Sequence, residues 1–242
     1  EYSWRNSQDA AGIKVDFFAG DRSGDMDYYI DLMSDAARHR LMINFHGATI
    51  PRGWQRTWPN LMTMEAVYGA EWYNNMPVLT SRAAVHNATL PYTRNVIGSM
   101  DYTPGTFSDS QHPHITTHGH ELALTVLFES SLQHMPDSPQ TYRSLPDEVR
   151  AVLSSLPTAW DDTLLLEGYP GESAVIARRK GESWYIAGIN GLDEARTLTF
   201  SISRLYEYGT AARLFADGDT DRCFEISELD LNGTDPDISV NC

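Results

Sequence analysis

Carboxylates near the ends of apolar runs carry the chemistry this sequence can support. Asp16 lies late in the run Ile13-Lys14-Val15-Asp16-Phe17-Phe18, two residues after Lys14. In a strand that spacing puts both side chains on one face, where the ammonium can serve an ion pair or clamp a substrate. A carboxylate there is costly to bury without a partner or a task. His46 and Gly47 close a second apolar run, Leu41 to Phe45, and feed a loop rich in Pro, Gly, Arg and Trp that contains Arg56 and Trp58. Glu65 and Glu71 follow, six residues apart. If the stretch from Leu61 to Ala70 is helical, that gap does not place them on one face, and only a bend such as one at Gly69 makes them converge. Asp101, after Met100, is a further strand-end carboxylate. Paired acids at strand ends suit general acid–base and nucleophilic catalysis. Each residue also has a structural alternative: an ion pair for Asp16, a solvated surface for Glu65 and Glu71, a satisfied core histidine for His46.

Other chemistries lack their signatures. His112, His114, His118 and His120 are dense, but His120-Glu121 has no second histidine at helical spacing, so no zinc site is expected. No glycine-rich phosphate loop follows a strand, and no Gly-x-Ser-x-Gly elbow occurs. Net charge is −15 with a pI near 4.8, which argues against nucleic acid or an anionic membrane as partner and fits neutral substrates and divalent cations. No apolar run is long enough to span a membrane. The start, Glu1-Tyr2-Ser3-Trp4, has neither an initiator Met nor a signal-peptide pattern, so the chain reads as processed, cut or incomplete. Cys223 and Cys242 are either one disulfide near the C-terminus or two free thiols.

The elements that must position these residues fall into two parts. Ile13 to Phe18 reads as a strand, Gly24 to Arg40 as a helix with apolar residues at Met26, Tyr29, Ile30, Met33, Ala36 and Ala37, and Leu41 to Phe45 as the next strand. That order implies a parallel pair joined by a right-handed crossover. A long polar stretch from about Asn74 to His114 reads as loop, Thr116 to His134 as a helix, and Pro146-Asp147-Glu148-Val149 as the start of a short helix. From Trp160 onward the pattern changes to short strands. Ala174 to Asn190 reads as a hairpin turning at Lys180-Gly181, and Thr197–Ser203, Ala211–Ala216 and Cys223–Leu229 as further strands. The expected fold is therefore α/β followed by an all-β module, a small sandwich.

Several long motifs, in order and spanning nearly the whole chain, resemble glycoside hydrolase family 97. They are Ile13-Lys14-Val15-Asp16-Phe17-Phe18-Ala19-Gly20-Asp21, Asn44-Phe45-His46-Gly47-Ala48, Arg56-Thr57-Trp58-Pro59-Asn60, Glu65-Ala66-Val67-Tyr68-Gly69-Ala70-Glu71 and Arg94-Asn95-Val96 with Met100-Asp101-Tyr102-Thr103-Pro104. The tail adds Pro157-Thr158-Ala159-Trp160-Asp161-Asp162-Thr163 and Gly168-Tyr169-Pro170-Gly171. Members of that family carry an N-terminal β-sandwich, a central (β/α)8 TIM barrel and a C-terminal β-domain. The resemblance implies the C-terminal half of the barrel at residues 1–156 and the β-sandwich domain at 157–242. The absent N-terminal domain implies a missing partner segment or a homo-oligomer, because half a barrel leaves sheet edges and apolar surface open.

The resemblance also implies roles. Inverting members place a glutamate base directly after the strand-end histidine, where this chain has Gly47. That points to the retaining, α-galactosidase-like branch, with Asp16 as nucleophile and Glu71 as acid/base. Retention needs the two carboxyl groups about 5 Å apart. Calcium, which takes six or more oxygen ligands, is implied at Glu65 and Glu71, and Lys14, His46 and Arg56 are implied as sugar contacts. The implied substrate is a galactoside or oligosaccharide, and the implied location is the bacterial periplasm or exterior. The alternatives are a β-L-arabinopyranosidase or α-glucosidase of the same family, or an inactive truncated chain that binds sugar or assembles with others.

Overall fold

The computed structural model describes residues 10–74, 76–109, 112–205, 209–231 and 237–241. The first part is built on a parallel sheet of three short strands, β1 (Gly12–Val15), β2 (Met42–Phe45) and β3 (Leu61–Met64), in the order β1-β2-β3. An isolated parallel bridge from Met64 to Met100 adds a fourth chain segment beside β3. Helix α1 (Ser23–Arg38) connects β1 to β2 and buries Tyr29, Met33 and Ala36 against Leu41, Ile43, Phe45, Leu61 and Met64. These are three of the six positions that the helical spacing predicts; Met26 is half-buried, whereas Ile30 and Ala37 are exposed. Arg40 adopts a left-handed conformation, φ 55°, that ends the helix and lets Leu41 turn into β2.

Three expectations are corrected. Leu61 to Ala70 is not a helix. Its first four residues pair with β2 as β3, and a 3-10 turn occupies Ala70–Asn74. The stretch from Asn74 to His114 is not all loop: α2 (Pro77–Thr80), α3 (Ala83–Thr89) and two 3-10 turns, Leu90–Tyr92 and Arg94–Ile97, interrupt it. Helix α4 (His118–Leu127) stops well before His134. Its last carbonyls, of Val126 and Leu127, accept hydrogen bonds from the buried guanidinium of Arg178 at 2.7 and 2.8 Å, so the helix is capped from a distant strand. Helices α5 (Pro139–Ser144) and α6 (Asp147–Ser155) follow.

The second part is antiparallel. Strands β4 (Asp162–Tyr169), β5 (Ser173–Lys180) and β6 (Ser183–Asn190) form a meander, and Gly181 takes φ 58° in the β5–β6 turn. Strand β5 is buried on both faces, and its alternation divides the core. Ala174 and Ile176 join a cluster with Tyr73, Ala88, Tyr102 and Leu127, whereas Val175 and Ala177 face Leu198, Phe200 and Ile202. The latter come from or adjoin β7 (Thr197–Ser201), which pairs with β10 (Asp237–Asn241). The hairpin of β8 (Ala211–Asp217) and β9 (Phe224–Asp230) forms a two-stranded sheet of its own. Its Phe215, Phe224 and Ile226 pack beside Phe107, Leu122 and Val149. Cys242 lies outside the described residues, and Cys223 is exposed and pairs with no cysteine among the described residues.

Candidate active site

Each parallel segment delivers a polar residue directly after its last paired position. Asp16 follows Val15, His46 follows Phe45, Glu65 follows Met64, and Asp101 follows Met100. The C-terminal edge of a parallel sheet is where such folds assemble reactive groups. Asp16 Oδ1 accepts the amide N–H of Phe17 at 2.7 Å, and Phe17 is exposed in a left-handed conformation, φ 64°. Phe18 turns back to donate to Gly47 O and stacks on Tyr29, which anchors this rim to the core.

Lys14, Asp16 and Glu71 come together. Lys14 Nζ lies 3.2 Å from Glu71 Oε1 and 3.7 Å from Asp16 Oδ2, with all three side chains partly exposed. One ammonium thus bridges both carboxylates, and the two oxygens are no farther apart than those contacts together allow. That limit admits the about 5 Å of a retaining pair. Glu71 reaches this position because the chain bends between β3 and the 3-10 turn. Ala66 adopts φ 42°, and Gly69 packs so tightly on Tyr102 that a Cβ would sit 2.3 Å from its carbonyl oxygen. The bend between Glu65 and Glu71 lies at Ala66 and Val67, and Gly69, the example the sequence suggested, serves instead as a close-packing point against Tyr102.

Gly47 is constrained twice. Its φ is 52°, and a Cβ there would lie 2.9 Å from both Asp16 Oδ1 and Phe17 N. Its N–H donates to Glu65 Oε2 at 2.6 Å. Burial pushes the Glu65 carboxyl up, as do the charges of Glu71 and Asp16, against the Gly47 hydrogen bond and His46. Glu65, Glu71 and His46 present ligand atoms that all lie within 4.8 Å of one another. The two carboxylates are hard oxygen donors of the kind calcium takes, and they would supply part of the six to eight ligands it needs. The imidazole is not such a donor.

His46 is fully buried, which keeps its ring from solvent. Its Nε2 lies 2.7 Å from Asp101 Oδ2, and its Nδ1 faces Glu65 Oε2 at 3.6 Å. Arg56 is exposed on the 3-10 turn Trp54–Arg56, and no ion pair joins it to the acids among the described residues. Asp101 is buried and gathers more than its sequence context predicts. Asn44 Nδ2 donates to its Oδ2 at 2.7 Å, His134 Nδ1 lies 2.5 Å from the same oxygen, and the His134 amide donates to Oδ1 at 3.0 Å. Burial disfavours its charge, but the hydrogen bonds from His134 and His46 prevail and hold the carboxyl well below the usual range. In return Asp101 raises the pKa of His134. Sequence reasoning missed His134 because the apolar spacing runs on past Leu127 as if the helix continued. A shallow cleft of about 440 Å³ opens beside Glu65, with Tyr68, Trp72 and His86 among its walls.

The chain is also similar to known proteins. A family model described as glycoside hydrolase 97 matches residues 1–67, and one described as glycosyl-hydrolase 97 C-terminal, oligomerisation, matches residues 159–239. A probable retaining α-galactosidase of Streptomyces bingchenggensis is 47% identical over 177 residues, covering 73% of this chain and 27% of the relative. The retaining α-galactosidase of Bacteroides thetaiotaomicron is 32% identical over 217 residues, covering 86% of this chain and 32% of its own length. The chain thus spans about a third of the curated relatives it matches. Among solved structures, a β-arabinopyranosidase superposes with a TM-score of 0.90 at 31% identity, over 99% of this chain and 39% of that one. A glycoside hydrolase family 97 enzyme of Pseudoalteromonas sp. strain K8, solved with panose, shares the fold at a TM-score of 0.81 and 22% identity, over 99% of this chain and 41% of that one.

Proposed function

The chain belongs to glycoside hydrolase family 97, and from that membership we propose that it forms part of a retaining glycosidase that releases terminal α-linked galactose. The names of the two curated relatives support the sugar and the stereochemistry. The observation that carries the reading is the Lys14 bridge between Asp16 and Glu71. In this reading the parallel sheet and its helices are part of a (β/α)8 barrel at residues 1–156, and residues 157–242 are the C-terminal domain. The description of the matched C-terminal family favours self-association through that domain.

The mechanism follows from the pair. An Asp16 oxygen attacks the anomeric carbon as the bond to the leaving oxygen breaks, and Glu71 gives that oxygen its proton. Glu71 then takes a proton from water. The water oxygen bonds to the anomeric carbon, the bond to Asp16 breaks, and two displacements restore the starting configuration. Lys14 holds the carboxylates in register and is placed to meet sugar hydroxyls. Gly47 leaves no carboxylate on the far side to activate water directly. Glu65 and Glu71 are the residues that would hold calcium, which would supply positive charge beside the leaving group. A β-L-arabinopyranoside is the second reading, favoured by the solved structure at a TM-score of 0.90.

The test is hydrolysis of an aryl α-galactoside by protein carrying this chain. Asp16→Ala is expected to abolish turnover, azide to rescue it, and the first-formed sugar to be the α-anomer. An unchanged rate in Asp16→Ala, or a β-anomer first product, sinks the assignment. Chelation is expected to lower activity and added Ca²⁺ to restore it; activity indifferent to both removes the metal from the reading.

A further inference from the structure

We propose that His134 is a sugar-binding residue of this site, with its Nε2 offered to a hydroxyl of the galactoside that Asp16 and Glu71 act on. The proposal rests on the retaining-galactosidase reading and adds a residue to it. Asp101 is the starting point. It is buried, and a buried carboxylate is costly unless it is fully engaged. Its Oδ2 meets Asn44 Nδ2, His46 Nε2 and His134 Nδ1, and its Oδ1 takes the His134 amide. An ionised carboxylate only accepts hydrogen bonds, so both imidazole nitrogens that meet it carry protons.

The two histidines then differ in what remains free. The His46 ring is sealed in the core, its other nitrogen against Glu65. The His134 side chain is 40% exposed, and its Nε2 has no partner among the described residues. The rings meet edge to face at 5.8 Å, so Asp101 and His46 fix the plane of the exposed imidazole. The His46 ring that His134 abuts follows β2 and faces Glu65, and both histidines share Asp101 Oδ2, so His134 sits at the same end of the sheet as the acids. A ring with one nitrogen locked on a buried carboxylate and the other turned outward is an oriented hydrogen-bonding group, as in histidines oriented by a carboxylate behind them.

Two substitutions separate binding from folding. His134→Asn keeps a short donor for Asp101 and removes Nε2, whereas His134→Gln places an amide nitrogen near where Nε2 was. The measurement is galactose affinity by calorimetry, with melting temperature in parallel. His134→Asn is expected to weaken binding about tenfold or more at an unchanged melting temperature, and His134→Gln to recover part of the loss. Equal affinity of wild type and His134→Asn overturns the proposal, as does a wild type that binds no galactose. Loss of galactose affinity in His134→Asn while Asp16→Ala leaves turnover unchanged would keep this inference and remove the assigned nucleophile instead.

Discussion

Two single residues make separable predictions. Gly47→Ala adds one methyl where φ is 52° and the Asp16 carboxylate and the Phe17 amide lie at 2.9 Å. Backbone strain and displacement of Asp16 act together, so the variant is expected to lose about 1–3 kcal/mol of stability and most of its activity. A denaturant titration beside the galactoside assay checks both, and a variant with wild-type turnover contradicts the placement of Gly47. Glu121, buried in α4, is the second case. Burial pushes its carboxyl up to about 7, against hydrogen bonds from Thr116, Tyr73 and the Thr106 amide. Between the ordinary value near 4.5 and about 7 the native state binds more protons than the unfolded chain, so stability falls as pH rises through that window. Glu121→Gln cannot ionise. Its stability relative to wild type is expected to improve from pH 5 to pH 8, by on the order of 1–3 kcal/mol. A difference that stays constant with pH would show that Glu121 does not titrate there.

At the scale of elements, Arg178 makes the strongest prediction. From β5 it donates to the last carbonyls of α4 and, through its other terminal nitrogen, to Thr163 Oγ1 at 3.0 Å. Arg178→Met is expected to cost about 2–4 kcal/mol, and Arg178→Lys less, because a lysine keeps the charge but not the fork. The midpoint of urea unfolding reads both; equal midpoints for all three proteins would dismiss the cap. The same contact explains what could be read from sequence. Strands β1 and β2, helix α1 and the β5–β6 hairpin were legible because apolar period and turn residues agree over their whole length. The end of α4 was not, since what stops it is an arginine 51 residues beyond Leu127. His134 was lost with it. Strand β3 was hidden because Leu-Met-Thr-Met is too short to show a period, and only pairing with β2 defines it. Asp16, Glu71 and Lys14 were placed by motif, whereas their meeting depends on the bend at Ala66 and Val67, which nothing local dictates.

Across the whole molecule, the largest core takes no notice of the change in sequence character near Pro157. Tyr73, Ala88, Tyr102 and Leu127 from one side share it with Ala174, Ile176 and Ile189 from the other. Tyr92 donates to Ser173 O at 2.8 Å, and Arg222, next to β9, donates to Asp109 and to the carbonyls of His114 and Thr116. The α/β part and the antiparallel part are therefore fastened along a broad front of apolar and polar contacts, while a single strand of backbone joins them at Leu156-Pro157-Thr158. Cutting that strand would remove one covalent bond and leave the front untouched. The molecule is thus divided unequally in its work: Lys14, Asp16, His46, Glu65, Glu71, Asp101 and His134 all lie on one side of this junction, and the other side supplies the apolar and polar front against which that side packs.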